Sequence, residues 1–258
     1  MSPASITDAI CLTAQKFSET SKIAVLYTRR YGRVSVIAKG AFRPKSQFWG
    51  HLEPLSISEC VVYMKPAERL QILGSCRATI PWTPLTSSLE RASYAFAVCE
   101  FLYRHTYEGE DGGLFQLTVD VLMRLAQLPD QEVARQFWGF MLGALEQLGF
   151  RPEFDHCDRC RRLPSPEQRV VFDAVAGKII CRHCRREEGR QFILSPEALA
   201  ELKRRQRNPI LEDSEEPLLP GALNEIANAL SEFKVYHVGG GRLRSLAFAQ
   251  RMSSTIGK

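Results

Sequence analysis

The chain has 258 residues, 45% apolar and 24% charged, an ordinary globular balance that allows one large or two small domains around a real core. No run reaches the roughly 18 apolar residues of a bilayer-spanning helix, Glu100 interrupting the most apolar candidate at Tyr94 to Tyr103, and Met1 to Phe17 lacks the basic end and long apolar stretch of a secretion signal, so a soluble, cytoplasmic protein is expected. The formal charge of +5 is unevenly placed: residues 1–82 hold eleven Lys and Arg against five Asp and Glu, the other 176 hold 23 against 24, and such a local excess points to a polyanionic partner.

From Ile6 to about Trp82 short segments rich in β-branched and aromatic residues alternate with turn residues. Ile10 to Thr13, Ile23 to Thr28, Val34 to Ala38, Leu55 to Met64 and Leu70 to Ala78 are predicted strands. Arg30-Tyr31-Gly32-Arg33 reads as a hairpin turn, with Gly32 able to take positive φ. Five strands in some eighty residues suit a small closed barrel; an OB-fold is the natural candidate, and an SH3-like barrel would give nearly the same pattern.

After Pro81 and Pro84 the texture becomes helical. Helices are predicted over Ser87 to Thr106, Gly113 to Leu128 and Asp130 to Gly149, the third carrying Val133, Phe137, Met141, Leu145 and Leu148 at three- and four-residue spacing. Ser195-Pro196-Glu197 opens a helix to about Gln206. Asn208 to Pro220 reads as a loop, and helical patterning resumes from Ala222 to His237. Gly239-Gly240-Gly241 ends that helix, and a short last one is predicted over Leu243 to Met252. The predicted fold class is α+β and multidomain, with residues 1–82 as a DNA-binding barrel and 83–258 as a helical domain enclosing a zinc-binding element at about 153–188.

Eight cysteines divide into two groups. Cys11, Cys60, Cys76 and Cys99 are isolated in apolar surroundings, the habit of core residues. Cys157-x-x-Cys160 and Cys181-x-x-Cys184 are twenty residues apart, within the spacing of zinc sites: each tight turn presents two thiolates, and two turns close a tetrahedron around Zn²⁺. Val170 to Phe172 and Lys178 to Ile180 would form the hairpin that brings the turns together. Paired disulfides are the first rival and fit poorly without a secretion signal; a catalytic zinc is the second and would keep one position open. His156 and His183 are read as exposed neighbours.

The densest basic stretch runs from Arg29, Arg30, Tyr31 and Arg33 to Lys39, Phe42, Arg43, Lys45, Phe48 and Trp49. Cations neutralise phosphates while interleaved aromatics stack on unpaired bases, the combination used by single-strand binders. Phe48 and Trp49 are assigned to the barrel core; Tyr31 and Phe42 are left open between core and surface. Lys203 to Arg207 follows a helix, where dipole effects alone favour cations. Arg159, Arg161, Arg162, Arg182, Arg185 and Arg186 surround the cysteine turns, with nearby acids partly cancelling them. No phosphate-loop, H-E-x-x-H or G-x-S-x-G pattern occurs, so ATP hydrolysis and common hydrolase chemistry lose support.

In this order the parts resemble the bacterial RecO family of recombination mediators. The residues that carry the resemblance are Tyr31-Gly32-Arg33, Ala38-Lys39-Gly40-Ala41-Phe42-Arg43-Pro44-Lys45-Ser46, the two cysteine pairs, Leu194-Ser195-Pro196 with Ala198-Leu199, and Arg242-Leu243-Arg244-Ser245 with Phe248. The chain departs from the family at Ser18-Glu19-Thr20-Ser21-Lys22, where Gly-Glu-Ser/Thr-Asp-Arg is frequent. The resemblance implies an N-terminal OB-fold, a helical domain and a zinc element. It also implies binding of single- and double-stranded DNA, strand annealing, and work with RecR to load RecA onto DNA coated by single-stranded-DNA-binding protein. An apolar groove in the helical body, rimmed by the arginines of the cysteine turns and by Arg242 or Arg244, would take that protein's acidic tail. A non-enzymatic mediator is therefore expected; the alternatives are a metal-dependent nuclease and a zinc-ribbon transcription or RNA-binding module.

Overall fold

The computed structural model describes residues 4–65, 69–109, 112–186, 189–212 and 216–247. The chain forms two compact units, Met1–Gln127 together with the segment from Leu243 onward, and Leu128–Arg242.

In the first unit five strands, β1 (Ala4–Lys16), β2 (Lys22–Thr28), β3 (Gly32–Ala38), β4 (Ile57–Tyr63) and β5 (Leu70–Ile80), pair in the circuit β1-β2-β3-β5-β4 and back to β1, a closed barrel. Closure leaves no unpaired strand edge in the circuit. The one parallel contact, Ser35↔Leu70 to Ile37↔Ile72, lets β5 complete it. Strand alternation sends Ala24, Leu26, Val34, Val36, Ala38, Cys60, Val62, Leu73 and Cys76 inward, where Phe48 and Leu52 of the β3–β4 loop join them. Trp49, expected in this core, is 74% exposed: it follows Phe48 in a turn, and only one of the two rings enters the barrel. The four isolated cysteines are buried as expected, and two are neighbours, Cys60 and Cys76 facing each other across β4 and β5 with sulfurs 3.3 Å apart.

A 3-10 turn (Thr83–Thr86) leads into α1 (Leu89–His105), which Ser88 caps by accepting the Arg91 amide, and then α2 (Gly112–Gln127). Leu114, Phe115, Thr118, Val121, Leu122 and Leu125 form the buried stripe of α2. The turn between β2 and β3 is latched to the segment after α1: Arg33 N donates to Tyr107 O at 2.9 Å and Gly109 N to Tyr31 O at 3.0 Å. Gly32 sits there at φ +61°, and a Cβ would run into the Tyr107 and Gly109 carbonyl oxygens.

The returning segment docks on α1 through Glu100. Its carboxylate accepts the Arg244 amide, the Ser245 amide and the Ser245 hydroxyl, each at 2.9 Å, and pairs with Arg104 at 2.5 Å. It thereby satisfies amides that open a helical turn, the role an N-cap side chain usually plays. Of the predicted last helix, Leu243 to Met252, residues 244–247 are helical, Leu243 precedes the helical turn, and residues 248–252 lie outside the described residues. Burial pushes the Glu100 carboxyl up, but the bonds from Ser245 and Arg244 and the Arg104 charge outweigh it and hold it below its ordinary 4.5. A lowered carboxyl stabilises the fold above its unfolded pKa, and the contribution disappears as pH falls through the folded value. Glu100→Gln should therefore cost about 1–2 kcal/mol at pH 7. The difference from the parent should shrink toward pH 3 in paired thermal melts, and a pH-independent difference would contradict this account.

The second unit is built on α3 (Asp130–Gln147), in which every residue from Val133 to Leu145 is buried. Strands β6 (Glu153–Cys157), β7 (Val170–Asp173), β8 (Lys178–Cys181) and β9 (Gln191–Leu194) form a sheet ordered β6-β8-β7-β9. Phe154 and Phe172 meet at 5.5 Å, and Phe172 meets Phe233 of α5 (Pro220–His237) at 5.9 Å. Before it, α4 (Pro196–Arg207) starts as predicted, with Ser195 accepting the Ala198 amide and Pro196 in the first turn. A buried ion network joins α3 to α4. Arg135 makes a two-pronged contact with Glu201 at 2.7 and 2.9 Å and donates to Glu216 O at 2.8 Å, while Arg205 lies 3.1 Å from the same carboxylate and donates to Ile210 O at 2.8 Å.

Candidate metal centre and nucleic-acid interface

The four paired cysteines converge. Cys157 closes β6 and Cys181 closes β8, and because these strands run parallel, with Cys157 beside Ile179, both Cys-x-x-Cys turns leave the sheet at the same end. The predicted β7–β8 hairpin forms, but the parallel β6–β8 pair aligns the turns. Arg161 N donates to Cys157 O at 2.9 Å and Cys184 N to Cys181 O at 3.0 Å, closing each turn, and Arg159 Nη1 ties them together through Cys184 O at 3.1 Å.

All four Sγ atoms lie within 4.8 Å of one another, with Cys160 and Cys181 at 3.9 Å. Four sulfurs at Zn–S distances of 2.3 Å in a tetrahedron would be about 3.8 Å apart, so the spacing fits a metal, and the four are free thiols. His156 and His183 are exposed and stand outside the cluster. The electrostatics call for a cation. Burial pushes Cys157 up, yet amides of Cys160, Cys181 and Arg159 pointing at its sulfur bring it down to about 6. Hydrogen bonding with Cys181 and then Cys160 pushes Cys184 up to about 12. One thiolate forms easily and its neighbours then resist; a dication removes that resistance.

The basic stretch is contiguous in sequence and divided in space. Arg29, Arg30 and Arg33 lie at one end of the β2–β3 hairpin. Lys39, Arg43 and Lys45 follow the far end of β3, about 20 Å away at roughly 3.3 Å per strand residue. At the first end the guanidinium groups have partners within the unit. Arg29 pairs with Asp8 at 3.3 Å, bonds Gln116 at 2.9 Å and stacks 4.7 Å from the Phe115 ring. Arg33 reaches the Tyr103 carbonyl and lies 5.3 and 5.6 Å from the Tyr103 and Tyr107 rings. Arg30 is exposed over Tyr31, whose hydroxyl bonds Ser5 at 2.6 Å.

At the second end Lys39, Arg43 and Lys45 are exposed, and among the described residues their side chains have no hydrogen-bond or ionic partner. Lys45 is held at φ +64°, an uncommon state for a residue with a side chain. Phe42 (40% exposed) and Trp49 stand on the same loop. The loop also bonds the β1–β2 turn, Phe42 N to Thr20 O at 3.1 Å, which brings in Lys16, 6.0 Å from the Phe42 ring, and the exposed Phe17. Sequence reading missed Lys16 and Phe17 because they precede the dense stretch; an exposed aromatic beside a cation at a strand end was the available signal. Lys22, at the departure from the family pattern, pairs with Glu53 at 2.8 Å.

The second basic cluster lies within the last turns of α4 and not after it. Arg205 is buried in the ion network, Lys203 lies 3.4 Å from Asp155, and Lys203, Arg204 and Arg207 line a cavity of about 560 Å³. Arg242 and Arg244 are exposed. Among the described residues no helix is long and apolar enough to cross a membrane.

Fold and site together define an α+β protein in which a basic five-stranded barrel precedes helices and a four-cysteine centre. The chain belongs to the RecO family of DNA repair and recombination proteins: the profile for the recombination protein O N terminal region matches residues 1–81, and that for its C terminal region matches 86–247. It is 31% identical to the DNA repair protein RecO of Anaeromyxobacter sp. (strain K) over 251 residues, 96% of each chain. It is also 31% identical to that of Rhodopirellula baltica over 80% of this chain and 76% of the relative, and 26% identical to that of Moorella thermoacetica over 93% and 88%.

Proposed function

We propose that this protein is a non-enzymatic, cytoplasmic recombination mediator. Its barrel, residues 1–82, is an OB-fold that binds single- and double-stranded DNA, and the helical remainder, 83–258, engages protein partners. Family membership supports the setting. The observation that carries the DNA site is the group of exposed cations Lys39, Arg43 and Lys45, without partners among the described residues, beside exposed Phe42 and Trp49. Such a surface grips phosphates irrespective of sequence and stacks unpaired bases. Holding two strands against their mutual repulsion is what annealing requires. Arg29, Arg30 and Arg33 are assigned a secondary share, since their neighbours within the unit already hold Arg29 and Arg33.

Cys157, Cys160, Cys181 and Cys184 are assigned to one structural Zn²⁺, which supplies cross-linking of the two turns when bound. Partner work with RecR, with the acidic tail of single-stranded-DNA-binding protein at Arg242 or Arg244, and indirectly with RecA, follows from the resemblance. Titrating a labelled tail peptide into the parent and into Arg242→Ala/Arg244→Ala tests that assignment, and equal affinities would remove these arginines from it.

Lys39→Gln/Arg43→Gln/Lys45→Gln should weaken binding to all DNA sequences alike and lower the salt slope by about three. Arg29→Gln/Arg33→Gln should change the slope less and the melting temperature more. An unchanged slope in the folded triple variant would move the site off this loop. Degradation of labelled strands with Mg²⁺, in place of annealing, would identify a nuclease.

A further inference from the structure

In sequence the arginines around the cysteine turns are partly cancelled by neighbouring acids. The structure removes much of that cancellation. Asp158 lies 3.5 Å from Lys178, Glu153 3.8 Å from the same ammonium, and Asp155 3.4 Å from Lys203. Asp173 accepts the Val175 and Ala176 amides at 2.9 and 3.0 Å. Arg161, Arg162, Arg182, Arg185 and Arg186 are all exposed, and among the described residues none is ion-paired. Each lies one or two residues from a cysteine whose sulfur is within 4.8 Å of the other three, so residues twenty positions apart in sequence share one surface.

We infer that the tip of the cysteine turns is a second phosphate-binding surface, separate from the barrel loop and suited to the backbone of a second nucleic-acid strand. The inference rests on the proposal that the barrel loop holds the first. Five exposed arginines on one surface match a repeating line of phosphates, since each guanidinium can donate two parallel hydrogen bonds to a phosphate. A zinc bound by four thiolates carries a net charge of −2, so the arginines have one other conceivable role, offsetting that charge; the experiment must separate the two.

The full-length, zinc-loaded protein is held on a tethered single strand and offered a labelled, non-complementary second strand. Arg161→Gln/Arg162→Gln/Arg182→Gln/Arg185→Gln should keep one zinc per chain and leave first-strand affinity within about twofold. Capture of the second strand should fall at least about tenfold, and its salt slope by about 3, at roughly 0.7 per single-strand phosphate contact. Unchanged capture by the zinc-loaded variant overturns the inference and leaves the barrel assignment intact. The barrel variant Lys39→Gln/Arg43→Gln/Lys45→Gln, measured alongside, should lose first-strand affinity; if it does not, the barrel assignment fails by itself. If the fourfold variant loses zinc, the pairs Arg161/Arg162 and Arg185/Arg186 are replaced separately, each expected to hold zinc and lose about 1.4 units of slope. Zinc loss in both pairs means that the arginines serve the sulfur cluster, and the inference is then wrong.

Discussion

Cys181→Ser is expected to strip the metal and melt the sheet that carries the cysteines. A structural zinc site contributes on the order of 10 kcal/mol of binding energy that is also folding energy, more than a unit built around four- and five-residue strands can lose. Metal analysis should read one zinc per parent chain and none in the variant, and limited proteolysis should open the chain near Phe154, next to β6. A chelator should do the same to the parent. Affinity should weaken as pH falls, because protons compete with the metal for all four sulfurs, and more steeply below about 6, where Cys157 takes up a proton as well. A parent without zinc, together with a Ser variant that melts like it, would end the assignment.

The second large effect is expected at Glu201. This carboxylate is 4% exposed between the Arg135 and Arg205 guanidinium groups, each 3% exposed. Glu201→Gln would remove the carboxylate that these two buried cations share, leaving Arg135 the more distant Glu132 at 3.4 Å, a loss of about 3–5 kcal/mol. For a unit of this size that is on the order of 10 °C in melting temperature, readable through the buried Trp138 of α3. Replacing all three together, Arg135→Met/Glu201→Leu/Arg205→Met, should recover most of the loss, because the desolvation of three charges disappears with them. If the single variant melts within about 1 °C of the parent, the network does not carry this energy.

Much of this architecture was legible before any coordinates. The five barrel strands, the five helices α1 to α5 and the cysteine cluster follow from alternation, helical spacing, caps and the C-x-x-C turns. Strands β6 and β9 were missed for physical reasons. In Glu153 to Cys157 only Phe154 and Cys157 are buried, too few for a period-two signal, and β9 is four residues of which only Leu194 is buried. The placement of cations was less legible than their number. Charge along the chain cannot show that β3 divides the basic stretch into two ends, or that Arg29 and Arg33 are held by Asp8, Gln116 and two tyrosines. Trp49 was misplaced because hydrophobicity alone does not say which of two adjacent rings fills the barrel. Glu100, read only as an interruption of an apolar run, anchors the returning segment by long-range bonds that no local pattern encodes.

The latched turn at Gly32 also governs where this barrel can vary. With carbonyl oxygens against its α-carbon and amide bonds on both sides, the β2–β3 turn has no room for a side chain at Gly32, and one added residue would shift the strand register and turn Val34 and Val36 outward. The loop after β3 is held more loosely between Lys39 and Trp49: Ala41 and Phe48 enter the core, Phe42 N bonds Thr20 O and Gln47 bonds Gly74 O, while Phe42, Arg43, Lys45 and Trp49 are open to solvent. Lengthening, shortening and recomposition are thus channelled to the loop that bears Lys39, Arg43 and Lys45. On the function proposed above, the grip on DNA can be retuned by editing that loop, while the opposite turn keeps the barrel the same shape.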